Sequence, residues 1–378
     1  MIPLALYLHI PWCIRKCPYC DFNSHKSPST LPEIEYVDAL VADLKEDLLT
    51  FPSQALTSIF IGGGTPSLFS AQAYDTLFTN LQQLIPFSPN IEITLEANPG
   101  TVEQQRFRDY RTLGINRLSL GIQSFNPTHL KALGRIHDDS QAHQAIKTAR
   151  SAGFDNINLD IMHGLPAQSI AEGLEDIRTA MSYSPEHLSW YQLTIEPNTI
   201  FHKNPPVLPS DDDEFNLEEQ GFSLLSEHGF QRYEISAFCK PQRQSQHNLN
   251  YWLFGDYLGI GAGAHGKLTT EQSLVYRTRK HRQPKDYLDA TKSFLTAQEI
   301  VTPQDLVFEF MLNTTRLQQS IPFSLFSERT NLSIDHVLPK LQEAQSKGLL
   351  ALSDSSWQIT TLGRRYTNDL QGIFLPDA

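Results

Sequence analysis

Three of the four cysteines in this 378-residue chain lie in one short stretch near the amino terminus. They are Cys13, Cys17 and Cys20, with the spacing C-x3-C-x2-C. A disulfide pairs two thiols, and a structural zinc ion usually takes four ligands. Thiolates are soft ligands that suit iron–sulfur clusters, and a four-iron cube bound by three cysteines keeps one iron open to an external ligand. The spacing therefore favours an iron–sulfur cluster.

A zinc site is the alternative, with His9 or His25 as the fourth ligand. The chain would then be a zinc-stabilised α/β binding protein without redox chemistry. A zinc ion does not explain why a glycine-rich turn should lie beside the cysteines, so the cluster is preferred. The remaining cysteine, Cys239, is expected to be a small buried hydrophobic residue.

Segments with strand patterns alternate with segments that have helical spacing of apolar residues, from the amino terminus to about residue 200. The six predicted strands are Leu4–Ile10, Leu56–Gly62, Ile91–Pro99, NRLSLGIQS (116–124), Asn156–Pro166 and His187–Pro197. Such alternation predicts an α/β fold with a parallel sheet, either open or curled into a barrel.

Polar residues and glycines stand where these strands end. The run GGG (62–64) follows the second strand, Glu96 the third and Gln123 the fourth, and Asp160 lies in the fifth. The cysteine loop follows the first strand. Because the carboxyl ends of parallel strands meet at one rim, where ligands bind in such folds, we expect all of these residues to face one site.

After Pro197 the pattern changes. A proline- and acid-rich connector leads to a predicted helix in DDDEFNLEEQGFSLLSEHG and to predicted strands in FQRYEISAF and YLGIGAGAHG. From about Pro303 the sequence is mostly helical and ends in a hairpin and a helix. We therefore predict three domains, 1–200, 201–300 and 301–378, the last a small, mainly helical, winged-helix-like accessory domain.

Composition limits the function classes. The net charge of −12 disfavours nucleic acid as the main partner. No apolar run approaches the roughly 18 residues of a membrane span, and the first residues lack the basic region of a signal peptide. The few cysteines predict a cytoplasmic location. The basic run Arg277–Lys285 is interpreted as a solvated connector, with a patch for carboxylates or anionic lipid headgroups as the alternative.

The cysteine spacing after a first strand, followed by IGGGTPS, resembles the radical S-adenosylmethionine (SAM) family. The resemblance implies a partial (β/α)6 barrel, similar to a TIM barrel. It also implies a [4Fe-4S] cluster whose open iron is chelated by the amino and carboxylate groups of SAM. Electron transfer from such a cluster can cleave the sulfonium. The glycines would let the backbone approach a ligand closely.

Further motifs narrow the resemblance to one branch of that family, which holds anaerobic coproporphyrinogen III oxidases and heme chaperones. YLHIPWCxxxCxYCDF, GGGTPS, LEANPG, GIQSF, LGRIH, DIMHGLP and GAGAH occur in this order within residues 7–266. The residues that the resemblance assigns to cofactor binding are Tyr7, Phe22, Gly63, Gly64, Thr65, Glu96, Gln123, Arg135 and Asp160. No residue is assigned a catalytic role. Each of the residues assigned to cofactor binding could alternatively have a purely structural role, as a strand-end cap or a surface charge.

Two features separate the oxidases from the chaperones. The oxidases carry another cysteine two residues after the third, where this chain has Phe22, and a longer amino-terminal arm than the twelve residues before Cys13. HNLNYW, beginning at His247, matches the H-N-x-x-Y-W motif of the chaperones, for which heme binding is proposed. The resemblance thus favours a heme chaperone over an oxidase that decarboxylates coproporphyrinogen III.

The heme ligand stays open at this stage. A neutral imidazole of His247 could bind heme iron, with Tyr251 and Trp252 as flat apolar contacts. Alternatively, His247 caps a turn and the two aromatic residues fill the core. The rival ligands are His163, His202 and His265. The expected partners are heme and heme-accepting proteins, respiratory ones at a membrane surface among them, and the chain is expected to be a monomer or a homodimer.

Overall fold

The computed structural model describes residues 2–51 and 54–376. The strands are β1 (Leu4–Ile10), β2 (Trp12–Cys13), β3 (His25–Lys26), β4 (Leu56–Gly63), β5 (Phe87–Ala97), β6 (Arg117–Gln123), β7 (Ile157–His163), β8 (His187–Gln192), β9 (Gln231–Arg232), β10 (Ala237–Cys239), β11 (Asp256–Ile260), β12 (His265–Thr269), β13 (Val275–Lys280), β14 (Leu295–Ile300), β15 (Ile321–Pro322), β16 (Leu350–Leu352) and β17 (Ser356–Ile359).

Helices follow most of the long strands. They are α1 (Glu33–Asp47), α2 (Ala71–Leu84), α3 (Thr101–Thr112), α4 (Pro127–Ala132), α5 (Asp139–Ser151), α6 (Ile170–Ser182), α7 (Ile200–Lys203), α8 (Asp211–Glu227), α9 (Gln246–Trp252), α10 (Pro284–Tyr287), α11 (Pro303–Thr314), α12 (Phe323–Thr330), α13 (Leu338–Ser346), α14 (Thr361–Arg365) and α15 (Thr367–Gly372). Short 3₁₀ helices cover Pro66–Leu68 and Ile334–His336.

One twelve-stranded sheet dominates the molecule, in the order β14-β13-β12-β11-β1-β4-β5-β6-β7-β8-β10-β9. The six predicted strands pair in parallel from β1 to β8, which confirms the α/β fold class. Their nearly continuous apolar runs are typical of strands covered on both faces. The order of strands is open, as expected of a partial barrel.

A seventh parallel strand was not predicted in this place. β11 pairs with β1, aligning Tyr7 with Gly259, although about 250 residues separate the two strands. β12, β13 and β14 continue from β11 as antiparallel neighbours. The segment that contains GAGAH therefore lies beside the cysteine loop, which follows β1.

Two predictions from the sequence are wrong. FQRYEISAF is not one strand but two short antiparallel ones, β9 and β10. The basic run is not a solvated connector, because Arg277–Lys280 lies within β13. Lys280 is buried there and contacts Asp43 and Asp47 of α1 at 2.5 and 2.7 Å. Those two carboxylates neutralise the charge, which is how a lysine can lie in the interior.

The carboxyl-terminal part has its own apolar core, built around Phe310, Phe326 and Trp357. Helices α11 to α15 pack there with the three-stranded sheet β15-β17-β16, in agreement with the predicted helical segment and its hairpin. Phe254 joins this core to the large sheet. The three domain boundaries and the likeness to a winged helix stay predictions.

Candidate functional site

The cysteine loop is held by backbone pairing on both of its flanks. β2 and β3 form a two-residue parallel pair, and the amide of Ser27 donates to the carbonyl of Cys13 at 2.8 Å. Inside the loop, the amide of Cys20 donates to the carbonyl of Cys17 at 3.2 Å. All three cysteines are free thiols. The sequence therefore folds into a loop that presents three sulfur atoms from a fixed base.

Two of the thiols have polar partners from other segments of the chain. The hydroxyl of Thr65 donates to Sγ of Cys13 at 3.5 Å, and Nη1 of Arg135 donates to Sγ of Cys17 at 3.6 Å. Burial raises the pKa of Cys13 and of Cys20, so these two thiols keep their protons until a metal displaces them. Donors directed at sulfur are expected around thiolates that bind a cluster.

The glycine turn after β4 passes close to the base of the cysteine loop. The amide of Gly64 donates to the carbonyl of Ile10 at 2.7 Å, and a Cβ at Gly64 would lie 2.6 Å from the carbonyl oxygen of Trp12. Gly63 has φ +114°, a conformation that side chains rarely adopt. Only glycine fits both positions, so this turn exposes backbone to the space above the sheet.

Two carboxylates, from β5 and β7, face this space. Burial and the nearby Asp160 raise the pKa of Glu96 to about 8, although the amide of Gly63 donates to Glu96 at 3.2 Å. Asp160 accepts from Ser119 at 2.9 Å and from Asn158 at 2.8 Å, and burial raises its pKa as well. Two crowded, buried carboxyls are suited to an ammonium group or to hydroxyl donors.

Arg135 is the half-buried cation of the site, whereas Arg15 and Lys16 are exposed. Its Nη2 donates to Oδ1 of Asn98 at 2.5 Å and to the carbonyl of Gly121 at 2.9 Å, whereas its Nε is buried without a hydrogen-bond partner in the described part of the chain. A guanidinium with a free buried donor and no carboxylate partner is suited to the carboxylate of a ligand. Gln123, with φ 69°, accepts from the hydroxyl of Tyr191 at 2.8 Å.

These residues line a single cavity of about 440 Å³, which we call the thiol cavity. The predicted site residues in its wall are Cys13, Cys17, Cys20, Phe22, Gly63, Gly64, Thr65, Glu96, Gln123, Arg135 and Asp160. The three thiols, the carboxyls of Glu96 and Asp160 and the spare donor of Arg135 match a cluster together with an amino-acid ligand. Tyr7 and His247 are the two predicted residues that do not line it.

The arrangement of the thiols bears on the zinc alternative. Among the described residues, no three His, Cys, Asp or Glu side chains converge on one point as ligands of a single metal ion. A tetrahedral zinc site requires such convergence. In a four-iron cube each cysteine binds a different iron atom, so the sulfur atoms need only surround the cube. The three thiols of the loop are suited to such a cluster, in which one iron stays open to an external ligand.

A second cavity of about 590 Å³ adjoins the first, and we call it the aromatic cavity. Its wall includes Tyr7 and the aromatic side chains of Tyr251, Trp252 and Tyr257. Phe22, Gly63 and Glu96 line both cavities. Its basic side chains are His9, His265, Lys267, Arg277 and Arg282.

The structure does not bring His247 to either cavity. His247 is the second residue of α9 and is 4% exposed. Its ring stacks on that of Phe60, with the ring centroids 4.2 Å apart. Its Nδ1 donates to Glu92 at 2.8 Å. Burial lowers the pKa of His247, so the ring is neutral. Burial also opposes the charged form of Glu92, but His247, the charge of Arg117 and the amide of Gln246 together outweigh it and keep the pKa of Glu92 low.

The three rival histidines occupy different environments. His163 is buried and bonded to Glu214, and His202 is exposed outside both cavities. His265 is exposed at the start of β12 and lines the aromatic cavity. Burial of part of its ring, followed by the charges of nearby arginines, lowers the pKa of His265. Cys239 is fully buried in an apolar cluster, as predicted.

Sequence analysis missed Asn23, which ties the two cavities together. Its side-chain amide donates to the carbonyls of Ala262 and Arg282, both at 2.9 Å, and its backbone carbonyl accepts from Nε2 of His9 at 2.8 Å. Asn98, whose amide donates to Thr65 at 3.1 Å, was missed as well. Its place in LEANPG, two residues after Glu96, was the available signal.

The comparisons with known proteins agree with this site. Residues 7–180 match the Radical SAM superfamily, and residues 301–366 match the HemN C-terminal domain. The chain is 48% identical over 375 residues to the heme chaperone HemW of Escherichia coli, covering 99% of each chain. It is 34% identical to the heme chaperone HemW of Bacillus subtilis, over 98% of this chain and 99% of that one. The chain belongs to the HemW family.

This family lies within the radical SAM proteins, so the resemblance stated from the motifs is confirmed. Among solved structures, coproporphyrinogen III oxidase (HemN) of Escherichia coli matches with a TM-score of 0.82 at 22% identity, over 99% of this chain and 90% of that chain. That likeness shows that the two chains share a fold. No helix in residues 2–51 and 54–376 is both long and apolar enough to span a bilayer.

Proposed function

We propose that this protein is a cytoplasmic heme chaperone that carries a [4Fe-4S] cluster and SAM in the thiol cavity. Heme would bind in the aromatic cavity and pass from there to acceptor proteins. The observation that carries the proposal is the pair of adjoining cavities with different chemistry. One is lined by thiols and carboxyls, the other by aromatic rings and basic side chains.

Cys13, Cys17 and Cys20 would hold the cluster, which supplies an open iron atom for a chelating ligand. Arg135 would pair with the carboxylate of SAM through its spare donor. Glu96 and Asp160 would accept from its amino and hydroxyl groups, and the turn at Gly63 and Gly64 would let the nucleoside lie against backbone.

The aromatic cavity supports heme as the cargo. Its volume lies within the roughly 300–1,000 Å³ that is common for small-molecule sites, and its wall combines flat rings with cations. A porphyrin is flat and apolar and carries two carboxylates, so it requires both kinds of contact. The relatives from Escherichia coli and Bacillus subtilis bear the name heme chaperone, which supports the same cargo here.

Heme-accepting proteins would be the partners, including respiratory ones reached by peripheral contact with a membrane. The acidic chain disfavours nucleic acid as a partner. We propose a monomer or a homodimer. One chain by itself contains both cavities, so neither site requires residues from a second copy.

One anaerobically reconstituted sample tests this function against its rivals. It is titrated with hemin and mixed with a heme-free acceptor protein, and a parallel portion receives coproporphyrinogen III, SAM and a reductant. We expect iron–sulfur absorption, saturable hemin binding and transfer of heme, with no protoporphyrinogen formed. Formation of protoporphyrinogen would establish the oxidase instead. A colourless protein with one bound zinc ion would establish the zinc-stabilised binding protein.

A further inference from the structure

The basic side chains of the aromatic cavity differ in whether they are already paired. Lys267 contacts Asp256 at 2.8 Å, and Arg277 contacts Glu309 at 2.7 Å. Arg282 is exposed and forms no ion pair with any residue in the described ranges. An anionic ligand would therefore find one cation whose charge is not already neutralised by a carboxylate.

The two histidines of the same cavity differ in a similar way. His9 is 5% exposed, and both of its ring nitrogens are engaged, Nδ1 with the hydroxyl of Tyr7 and Nε2 with the carbonyl of Asn23, each at 2.8 Å. His265 is exposed, and within the part of the chain that is described its ring takes part in no hydrogen bond or ion pair. Only His265 therefore presents a free imidazole nitrogen to the cavity.

The backbone that carries His265 is held firmly. In the turn that precedes it, the amide of Gly261 donates to the hydroxyl of Tyr287 at 3.1 Å, and the amide of Ala262 donates to the hydroxyl of Tyr36 at 2.8 Å. Asn23 binds the carbonyl of Ala262. A metal ligand is most effective on a segment that is positioned before the metal arrives.

The flat surfaces of the cavity lie on α9 and β11. Tyr251 and Tyr257 meet edge to face, with ring centroids 4.8 Å apart. Trp252 lies next to them, and its indole Nε1 is buried without a hydrogen-bond partner in the described structure. These rings offer a porphyrin flat apolar contact, and the indole of Trp252 offers a donor that no other described group uses.

We propose that His265 ligates the iron of heme bound in the aromatic cavity and that Arg282 binds a propionate of the same heme. The inference rests on the proposed heme cargo and adds the residues that recognise it. It assigns Tyr251 and Trp252 of the HNLNYW motif to flat contact with the porphyrin. It assigns His247 to the support of α9, because that ring is bonded to Glu92 and stacked on Phe60.

The test compares hemin with metal-free protoporphyrin IX on the full-length, cluster-loaded protein. We expect His265→Ala to change the absorption spectrum of bound hemin and to weaken its affinity by at least about tenfold, while the affinity for protoporphyrin changes less than about twofold. Added imidazole should restore the spectrum of the His265→Gly variant. His202→Ala is the matched control, because it removes another exposed histidine that lies outside both cavities.

Arg282 is tested with the free acid and the dimethyl ester of protoporphyrin. Arg282→Ala should weaken binding of the free acid about tenfold and leave binding of the ester unchanged, since the ester has no carboxylate to pair. Arg279→Ala is the matched control, because Arg279 is already paired with Glu299 at 2.6 Å and lies outside both cavities.

Each outcome separates the ligand assignment from the cargo. If wild type binds hemin and His265→Ala keeps its spectrum and affinity, the assignment of His265 is overturned, although heme remains the cargo. Loss of the spectrum in His247→Ala alone would assign the iron to His247. An equal loss in His202→Ala would mean adsorption to surface histidines. If wild type does not bind hemin, both the cargo and its ligands are overturned.

Discussion

Three residues line both cavities, but the cavities differ in whether their polar groups already form hydrogen bonds. In the thiol cavity, Arg135 and Asp160 are half-buried and already bonded to neighbouring side chains, Asn98 and Ser119, before any ligand arrives. In the aromatic cavity, His265 and Arg282 are exposed and unpaired. Organised groups are typical of a site for a resident cofactor, whereas open, unpaired groups suit a cargo that enters and leaves.

The largest difference should come from the cysteines. Cys20→Ala removes one of three thiolates, so we expect cluster-bound iron to fall from about four atoms per chain to near zero. Hemin binding in the aromatic cavity should persist. Iron content, absorption and hemin titration measure both effects. Cys239→Ala is the matched control, because Cys239 lies in an apolar cluster away from both cavities. Loss of hemin binding together with the cluster would show that the cavities are one site.

Replacing Arg135 in the thiol cavity should affect only the binding of SAM. Arg135→Gln removes the charge that we assign to the SAM carboxylate, and a charge-assisted hydrogen bond of about 1.5–3 kcal/mol corresponds to a loss of about 10- to 100-fold in affinity. Equilibrium dialysis with SAM measures it on cluster-loaded protein. Arg178→Gln, an exposed residue paired with Glu175, is the control. An unchanged affinity for SAM would remove Arg135 from the cofactor site.

His247 distinguishes support of the aromatic cavity from ligation inside it. His247→Ala removes the ring bond to the buried Glu92, which keeps only its bonds from the backbone amides of residues 246 and 247, and leaves Phe60 without its stacking partner. We expect the free energy of unfolding to fall by about 2–3 kcal/mol, while the spectrum of bound hemin stays that of wild type. Urea unfolding measures the first effect. A loss of less than about 0.5 kcal/mol, the usual size of a surface substitution, would contradict a supporting role.

The last prediction concerns the pH dependence of stability. Burial raises the pKa of Glu96 to about 8, so the folded chain keeps a proton that the unfolded chain loses at a pKa near 4.5. The stabilisation is complete below the unfolded pKa and is lost as the pH rises toward 8. Relative to Glu96→Gln, the cluster-free wild type should lose at most about 1.4 kcal/mol per pH unit in this window. Urea unfolding from pH 5 to 9 measures it, and parallel curves would contradict it.

Much of the thiol cavity followed from local patterns. The spacing of Cys13, Cys17 and Cys20 is contained in eight residues, and the residues at the ends of parallel strands share a rim because of how such sheets are built. The structure gathers Glu96, Gln123 and Asp160 there. None of these inferences required knowledge of which distant segments pack together.

The aromatic cavity depended on contacts that no local pattern specifies. The pairing of β11 with β1 joins segments from opposite parts of the chain and brings His265 beside Phe22. The burial of His247 follows from Glu92, a residue 155 positions away. Lys280 reads as part of a solvated basic run until Asp43 and Asp47 of α1 are placed next to it. Tertiary partners of this kind decide whether a polar side chain is free.

Asn23 gives the molecule a mechanical property. Its carboxamide donates hydrogen bonds from the cysteine loop to Ala262, in the turn before β12, and to Arg282, at the rim of the aromatic cavity. The loop cannot rearrange around metal without either breaking these two bonds or pulling the far rim along. Binding of the iron–sulfur cluster in the thiol cavity would therefore also make the entrance of the aromatic cavity more rigid.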